Sequence, residues 1–176
     1  MKLTFTPLQE SHFPLLLKWL ESPHVKAWWN QDVRWTMELV KEKYGTYVQE
    51  YKWKQGLKKP LQAYIITAND HSIGYIQSYN AYDFPREDNI PLEDLPKSLA
   101  ALDFFIGEED YLGKGLGSEI LKQFLKKHID PIYEACFVDP DTTNGRAIHV
   151  YEKAGFKKIR TIKNGAITWM VRTKIQ

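Results

Sequence analysis

Hydrophobic and polar positions along this chain follow two different periods, and the change from one to the other marks the predicted elements. Apolar residues three and four positions apart predict four helices. They cover residues 13–20, 37–51, 116–128 and 144–154. Runs rich in β-branched and aromatic residues predict strands over residues 3–6, 61–67, 72–79, 99–106, 132–138, 156–162 and 166–172. This order predicts a mixed α/β (α+β) sheet with helices on both faces.

Residues at the ends of the predicted elements support these boundaries. Ser11 and Thr36 are suitable N-caps, because a side-chain hydroxyl accepts a hydrogen bond from the first helical turn. Gly155 fits the position after a helix, where the backbone is commonly left-handed. Asn164-Gly165 predicts a type I′ turn that joins the last two strands as a hairpin. Residues 82–96 contain several prolines and predict a long loop, a feature that is usually functional or disordered.

Composition limits the class of protein. The chain has 176 residues, 43% of them hydrophobic, which is enough for one domain over residues 1–176 with a full core. The single cysteine, Cys136, excludes an internal disulfide, is typical of a reducing compartment and has apolar neighbours that favour a core position. The first twenty residues contain charged groups and no long apolar run, which excludes a secretory signal and a membrane span. We therefore expect a cytoplasmic protein.

The charge pattern bears on partners. The net charge is +2 and the signs alternate, so we expect neither nucleic acid nor a membrane as a partner. We expect a monomer or a homodimer. One region departs from this balance, since six acidic residues stand against two basic ones between positions 83 and 103. The acidic residues are Asp83, Glu87, Asp88, Glu93, Asp94 and Asp103. A solvated loop and an acidic rim for a cationic ligand are both open interpretations.

A glycine-rich segment over residues 107–118 precedes a predicted helix. A Walker A loop needs four residues between its first two glycines, but five separate Gly107 from Gly113. The dinucleotide pattern counted from Gly113 needs a third glycine where Ser118 stands, so it fails as well. Converging backbone N–H groups at a helix start are typical of an anion site. A plain tight turn is the alternative, although glycine at 113, 115 and 117 costs backbone entropy.

A second motif lies over residues 144–156. Asn144 and Tyr151 are seven positions apart, so they share a helix face, and alone they would indicate a capping Asn and a half-buried Tyr. The sequence N-x-R-A-x-x-x-Y-E-K-A-G-F nevertheless resembles the distal motif of the GNAT superfamily of acetyltransferases. The glycine segment resembles the acetyl-CoA loop of the same family, R/Q-x-x-G-x-G/A, with Leu112 in place of the Arg or Gln and Lys114 as a substitute for that contact.

The resemblance implies a mostly antiparallel, twisted sheet and acetyl-CoA as the cosubstrate. The coenzyme-binding residues that it implies are Phe104, Phe105, Ile106, Gly113, Lys114, Gly115, Leu116, Gly117, Ser118, Asn144, Tyr151 and Lys153. The backbone N–H groups of residues 104–106 would hold the acetyl carbonyl, and Tyr151 would protonate the departing thiolate. No metal is expected, because the five histidines show no paired ligand spacing.

Within the superfamily the chain resembles the aminoglycoside 6′-N-acetyltransferases over nearly its whole length. The resemblance includes Trp28-Trp29, residues 73–79, Asp103 ten positions before Gly113, and Asp139-Pro140. The substrate-binding residues that it implies are Trp28, Trp29, Tyr44, Gln77, Asp83, Asp103 and Asp139. Either tryptophan would stack on a sugar ring or a cation, or else pack inward.

Asp103 interrupts an apolar strand, where an ionised carboxylate is costly unless it meets a partner or an opening. Aminoglycoside amines are largely protonated at neutral pH, so acetyl transfer needs a group that anchors the ammonium and accepts its proton. We expect Asp103 to be this catalytic residue, and a buried, satisfied Asp is the alternative.

Two other functions stay open at this point. The acceptor could be a siderophore precursor, a polyamine or a protein N-terminus. The chain could also bind acetyl-CoA as a sensor without turnover, although Asp103 and Tyr151 speak against a sensor.

Overall fold

The computed structural model describes residues 1–85 and 90–174. Its helices are α1 (Phe13–Leu20), α2 (Pro23–Lys26), α3 (Met37–Val48), α4 (Leu116–Phe124) and α5 (Gly145–Lys153). Its strands are β1 (Leu3–Pro7), β2 (Tyr51–Lys54), β3 (Leu57–Pro60), β4 (Gln62–Ala68), β5 (His71–Asn80), β6 (Leu99–Ile106), β7 (Ala135–Val138), β8 (Lys157–Ile162) and β9 (Ile167–Thr173). Two of the predicted rim acids, Glu87 and Asp88, lie outside the described residues.

Seven strands form one sheet in the order β1-β4-β5-β6-β7-β9-β8. The pairs β1–β4, β4–β5, β7–β9 and β8–β9 are antiparallel. The pair β6–β7 is parallel over Leu99 to Ala101. The predicted mixed, mostly antiparallel sheet is therefore confirmed.

Most predicted elements are found close to their predicted bounds. Strand β6 begins and ends at the predicted residues. Thr36 caps α3 as predicted, since its hydroxyl accepts a hydrogen bond from the Leu39 N–H at 3.2 Å. The last hairpin turns through Asn164 and Gly165, both with positive φ, and the Ala166 N–H donates to the Lys163 carbonyl at 3.1 Å. That geometry fits the predicted type I′ turn.

Four boundaries were predicted wrongly. Ser11 is not the cap of α1, because a 3₁₀ turn over Glu10–His12 precedes this helix. Helix α3 ends at Val48, and residues 51–60 form an unpredicted two-stranded hairpin, β2–β3. Helix α4 ends at Phe124 in a π turn, where the Asp130 N–H reaches the Leu125 carbonyl at 2.8 Å. Strand β7 begins only at Ala135, because the chain before it turns, with the N–H groups of Ile132 and Tyr133 both donating to the Ile129 carbonyl.

The chain divides into two compact units, of which the first contains residues 1–78 and 103–114. Its core combines aliphatic residues of α1, β4 and β5 with large aromatic rings. Trp19, Tyr44 and Tyr75 are all fully buried. Gly74 lets two strands approach closely, because a Cβ at this position would lie 2.4 Å from the Phe105 carbonyl oxygen.

The second unit contains residues 79–102 and 115–176. Its core is built on β6, β7 and β9, with Phe137 and Trp169 in an edge-to-face contact at 5.4 Å. Three apolar residues of the long loop, Ile90, Leu92 and Leu95, pack against this core. Arg172, which is buried, forms a bidentate ion pair with Asp130 at 2.6 and 3.1 Å. The single domain over residues 1–176 stays a prediction.

Three further features bear on the class of protein. Cys136 is fully buried in β7, which confirms its predicted core position. Within the two described ranges, no helix has the length and the apolar character needed to cross a membrane. Those ranges also contain no group of three or more His, Cys, Asp or Glu side chains that could hold a metal ion.

Candidate active site

The glycine loop, residues 113–118, owes its path to two left-handed residues. Gly113 has φ +71° and Gly115 has φ +73°, and a Cβ built on either residue would meet nothing within 4 Å. Glycine is therefore favoured here by backbone conformation and not by lack of space. Gly115 is also the N-cap of α4 and makes no side-chain cap, so the free N–H groups of the first helical turn suit an anion.

Two further residues of the loop, Gly117 and Ser118, make contacts within the second unit. A Cβ on Gly117 would lie 3.0 Å from a Val150 methyl group, so this glycine permits the close approach of α4 and α5. The Ser118 hydroxyl donates to the Gly115 carbonyl at 3.3 Å. The sequence motif thus combines an anion-compatible helix start, at Gly113 and Gly115, with a helix-packing contact at Gly117.

The distal motif forms α5 and its two caps. The Asn144 side-chain oxygen accepts a hydrogen bond from the Ala147 N–H at 3.2 Å, so this residue caps the helix. Tyr151 is 7% exposed, and its ring makes an edge-to-face contact with Phe156 at 5.4 Å. Lys153 is exposed, and Gly155 follows the helix with φ +100°, as predicted. The capping role of Asn144 is therefore observed, whereas its contact with the coenzyme stays a prediction.

Asp103 lies at the end of a short chain of hydrogen bonds in the first unit. The Gln77 amide nitrogen donates to the Asp103 carboxylate at 3.0 Å, and the buried Tyr75 hydroxyl donates to the Gln77 amide oxygen at 2.7 Å. Burial raises the pKa of the Tyr75 hydroxyl well above its usual value, so this group stays a neutral donor. Asp103 itself is only partly buried. The arrangement fixes the Gln77 amide and orients one carboxylate oxygen.

Aromatic rings surround this chain of hydrogen bonds. Trp29 makes edge-to-face contacts with Tyr75 at 6.1 Å and with Phe105 at 5.0 Å, and Tyr75 stacks on Phe105 at 5.7 Å. Trp28 is 48% exposed, so of the two tryptophans it is Trp29 that packs against these rings. We call Asp103, Gln77, Tyr75, Phe105 and Trp29 the Asp103 cluster.

Tyr44 supports the cluster from the interior. It is fully buried and contacts the Tyr75 ring edge-to-face at 5.6 Å. A substrate could not reach this side chain without displacing other residues, so its position indicates packing. Burial and the Asp103 charge also raise the pKa of the neighbouring Tyr47 to about 12, which keeps that hydroxyl neutral.

Two lysines near Asp103 were missed by the sequence analysis. Lys43 on α3 holds its ammonium 5.6 Å from the centre of the Trp35 ring and 5.5 Å from that of Tyr44. Burial is the main cause that lowers the pKa of Lys43 to about 8; the Lys52 charge acts in the same direction and the Asp103 charge opposes it. Burial also lowers the pKa of Lys52, again against the Asp103 charge. Both lysines occupy ordinary polar positions in the sequence, so no pattern could have indicated them.

The end of β6 is held firmly by its neighbours. The N–H groups of Gly107 and Glu108 both donate to the Ile73 carbonyl, at 2.7 and 3.1 Å, and the His24 Nε2 lies 3.0 Å from the Ile106 carbonyl oxygen. A Cβ on Gly107 would lie 2.2 Å from the Trp19 ring. The backbone of residues 104–106, which is predicted to hold the acetyl carbonyl, therefore ends in a rigid anchor.

The remaining predicted residues lie at element ends. Asp83 is half-buried in a 3₁₀ turn over Ala81–Asp83, and its charge contributes, after burial, to a raised pKa of Tyr133. Asp139 directly follows β7 and is half-buried. Leu116 starts α4 and is buried, whereas Lys114 is exposed with its ammonium 5.9 Å from the Tyr111 ring centre.

The chain is similar to known aminoglycoside acetyltransferases in sequence and in structure. The aminoglycoside N(6′)-acetyltransferase type 1 of Klebsiella pneumoniae is 30% identical over 175 residues, which are 97% of this chain and 83% of that protein. The structure of AAC(6′)-Ib in complex with parmomycin and acetyl-CoA has a TM-score of 0.82 and 29% identity, and the match covers 99% of this chain and 94% of that one.

A second structure of AAC(6′)-Ib, in complex with coenzyme A and kanamycin, has a TM-score of 0.80 and 29% identity. That match covers 98% of this chain and 95% of the other. Residues 9–164 match the family described as the acetyltransferase (GNAT) domain. The glycine loop, α5 and β6 all fall within this range. The chain therefore belongs to the GNAT family of acetyltransferases.

Proposed function

We propose that this protein transfers the acetyl group of acetyl-CoA to the 6′-amine of an aminoglycoside. The observation that carries this proposal is the Asp103 carboxylate, which the Gln77 amide orients beside stacked aromatic rings. Such a group can anchor an ammonium, and the rings can pack against a sugar. The relatives named above, aminoglycoside acetyltransferases in complex with coenzymes and antibiotics, support the same substrate class.

On the acceptor side, the reaction needs a neutral amine. The Asp103 carboxylate would hold the substrate ammonium and accept its proton, directly or through water, as the amine attacks the thioester carbon. Asp83, Asp139 and the other acids of the rim would bind further ammonium groups of the same substrate. Trp29 would contribute a ring face, and Trp28, which is exposed, would be free to stack on a more distant ring.

On the coenzyme side, the glycine loop would bind the pyrophosphate through the N–H groups at the start of α4. Positive φ at two glycines and a helix start without a side-chain cap fit such a group. Tyr151 would donate its hydroxyl proton to the departing thiolate. Lys114 would add a charge beside the loop, where Leu112 offers no polar contact.

The proposal is tested by measuring thiol release from acetyl-CoA with aminoglycosides, spermidine and peptides as acceptors. We expect the highest kcat/KM with an aminoglycoside, and NMR of the product should place the acetyl group on the 6′ nitrogen. An aminoglycoside with a hydroxyl in place of the 6′-amine is the matched control and should not react. A higher kcat/KM with a polyamine, a siderophore precursor or a peptide would contradict the substrate and leave the family intact. Binding of acetyl-CoA without turnover on every acceptor would favour a sensor.

Substitution of Asp103 tests the acceptor chemistry. Asp103→Asn keeps the shape and the bond from Gln77 but cannot accept a proton, so kcat at neutral pH should fall roughly 10²-fold or more. Part of the activity should return at alkaline pH, where the free amine already exists. Asp70→Asn, in an exposed turn with positive φ that suits Asn, is the matched control and should behave like wild type. A flat pH response of Asp103→Asn would show that this carboxylate only positions the substrate.

We also propose, from composition, that the enzyme acts in the cytoplasm.

A further inference from the structure

Tyr75 forms the fixed end of the chain of hydrogen bonds that leads to Asp103. Its ring is fully buried and lies 5.6–6.1 Å from three other rings, those of Trp29, Tyr44 and Phe105. Because these rings restrict it on several sides, the core of the first unit sets the position of the Tyr75 hydroxyl. A phenylalanine would fill the same space, and a buried hydroxyl is costly unless it forms a hydrogen bond. The bond to the Gln77 amide oxygen, at 2.7 Å, accounts for the hydroxyl.

The two residues that follow Tyr75 in this chain of hydrogen bonds are less restricted. Gln77 and Asp103 are only partly buried, and the last torsion of each side chain has a broad energy minimum. Neither the amide plane nor the carboxylate plane is therefore fixed by its own side chain. A hydrogen-bond partner on a rigid element has to supply the orientation, and the Tyr75 hydroxyl is such a partner.

The direction of the two hydrogen bonds follows from the chemistry of the three groups. An ionised carboxylate can only accept, so the Gln77 amide must turn its nitrogen toward Asp103, at 3.0 Å. The amide oxygen then faces Tyr75, whose hydroxyl must donate. Burial raises the pKa of this hydroxyl well above its usual value, so the proton that it donates is retained. The amide is thus held in one of its two orientations, and it holds one carboxylate oxygen in turn.

We propose that Tyr75 is a positioning residue for acetyl transfer, because its hydroxyl fixes the Gln77 amide and thereby the orientation of the Asp103 carboxylate. The inference rests on the proposed function. In the step that it serves, a proton passes from the substrate ammonium to the carboxylate. The freed nitrogen lone pair then forms a bond to the thioester carbon, and the carbon–sulfur bond breaks to release the thiolate. Tyr75, which is fully buried, acts through Gln77 and not by contact with the substrate.

Tyr75→Phe removes the hydroxyl and keeps the ring. We expect kcat with an aminoglycoside to fall roughly three- to tenfold, the typical effect of one lost hydrogen bond, while KM for both substrates stays constant. Tyr64→Phe is the matched control and should keep the wild-type kcat. Tyr64 pairs with Ile76 on the neighbouring strand, so it faces the opposite side of the sheet from Tyr75. An unchanged kcat in Tyr75→Phe, or a raised KM with constant kcat, would overturn the inference.

Double-mutant cycles separate positioning from a structural role of the ring. Gln77→Leu should lower kcat roughly tenfold or more, and Tyr75→Phe added to it should cost no further activity, since the hydroxyl has lost its target. Tyr75→Phe should also have no effect in the Asp103→Asn background, where the proton acceptor is absent. Losses that multiply in either cycle would overturn the inference.

Thermal unfolding would show which variants are folded. If Tyr75→Phe is not, Gln77→Leu tests the same chain of hydrogen bonds from a partly exposed position, in a cycle with Asp103→Asn. Losses that do not multiply in that cycle would support the inference, and losses that multiply would again overturn it. Turnover of an aminoglycoside by the wild-type enzyme upholds the proposed function in each of these cases, and its absence would overturn both.

Discussion

The glycine loop and the Asp103 cluster, which we propose to serve one reaction, are built from different parts of the chain. In the glycine loop the important groups are backbone N–H donors and two left-handed glycines within one short segment. In the Asp103 cluster they are side chains that come from the loop between α2 and α3, from β5 and from β6, all within the first unit. Local geometry makes the first site, and tertiary packing makes the second.

This difference predicts which substitutions each of the two sites tolerates. A backbone site recognises a phosphate by shape and dipole, so most substitutions outside its glycines should be tolerated. A side-chain cluster recognises its ligand by charge and ring faces, so a single substitution can change the acceptor without touching the coenzyme. We therefore expect substrate range in such enzymes to be set by side chains of this cluster, such as Trp29.

The sharpest test of this division on the coenzyme side is Tyr151→Phe. The ring should keep its contact with Phe156, while the proton for the leaving thiolate is lost. We expect kcat to fall roughly 10²- to 10⁴-fold, with little change in coenzyme affinity measured by calorimetry. A fully active variant would assign Tyr151 a structural role alone.

Gly115 tests whether the loop recognises a charge. Gly115→Asp places a carboxylate where the pyrophosphate is expected, and coenzyme affinity should fall by about two orders of magnitude. Gly115→Asn is the matched control, since Asn tolerates the left-handed conformation and adds no charge. Equal losses in both variants would indicate that the loss comes from side-chain bulk and not from charge. Unchanged coenzyme affinity in Gly115→Asp would contradict the assignment.

Gly107 tests the rigidity beneath the Asp103 cluster. A methyl group here would enter the Trp19 ring, so Gly107→Ala should lower the free energy of unfolding by about 2–3 kcal/mol, as overpacking typically does. Gly45→Ala is the contrast, because this site in α3 has no atoms near the new methyl group and should gain ~0.5–1 kcal/mol. Urea unfolding measures both changes. An unchanged free energy of unfolding in Gly107→Ala would show that the Trp19 ring or the backbone at residue 107 can move to make room.

The smallest effect concerns Lys43 and pH. Its pKa is about 8 in the folded protein and near 10.5 in the unfolded chain, so the unfolded state binds more protons between these values. Stability from this residue should rise with pH across that window, because the buried charge is lost. Lys43→Met should therefore be about 1–2 kcal/mol more stable than wild type near pH 7 and lose this advantage by pH 10.5. An advantage independent of pH would contradict the burial of a charged Lys43.

The elements that the sequence predicted best are those with strong local signals. Strand β6 follows from its apolar run, and the final turn follows from an Asn-Gly pair. The N-cap of α3 follows from the Thr36 hydroxyl, and the end of α5 follows from Gly155. The β2–β3 hairpin was missed, because Lys and Gln dominate residues 52–59 and hide its alternation. The early end of α4 was missed as well, since a π turn keeps an apolar pattern that resembles a helix.

The candidate site shows the same contrast. The glycine loop and Tyr151 were indicated by spacing, whereas the ring contacts of Trp29 and the burial of Tyr44 depend on how distant segments pack. The sequence could not separate Trp28 from Trp29, which are adjacent. Lys43 was missed because a lysine beside an apolar helix face normally extends into solvent.

The register of β6 has a consequence for how this enzyme can change length over evolution. A strand alternates its side chains, so a shift of one residue would exchange the faces of Asp103 and Phe104. The double hydrogen bond to Ile73 and the lack of room at Gly74 and Gly107 oppose such a shift. Insertions or deletions between residues 99 and 107 should therefore be purged by selection. Length changes in homologues should accumulate elsewhere, in connections such as the β2–β3 turn at Gln55-Gly56.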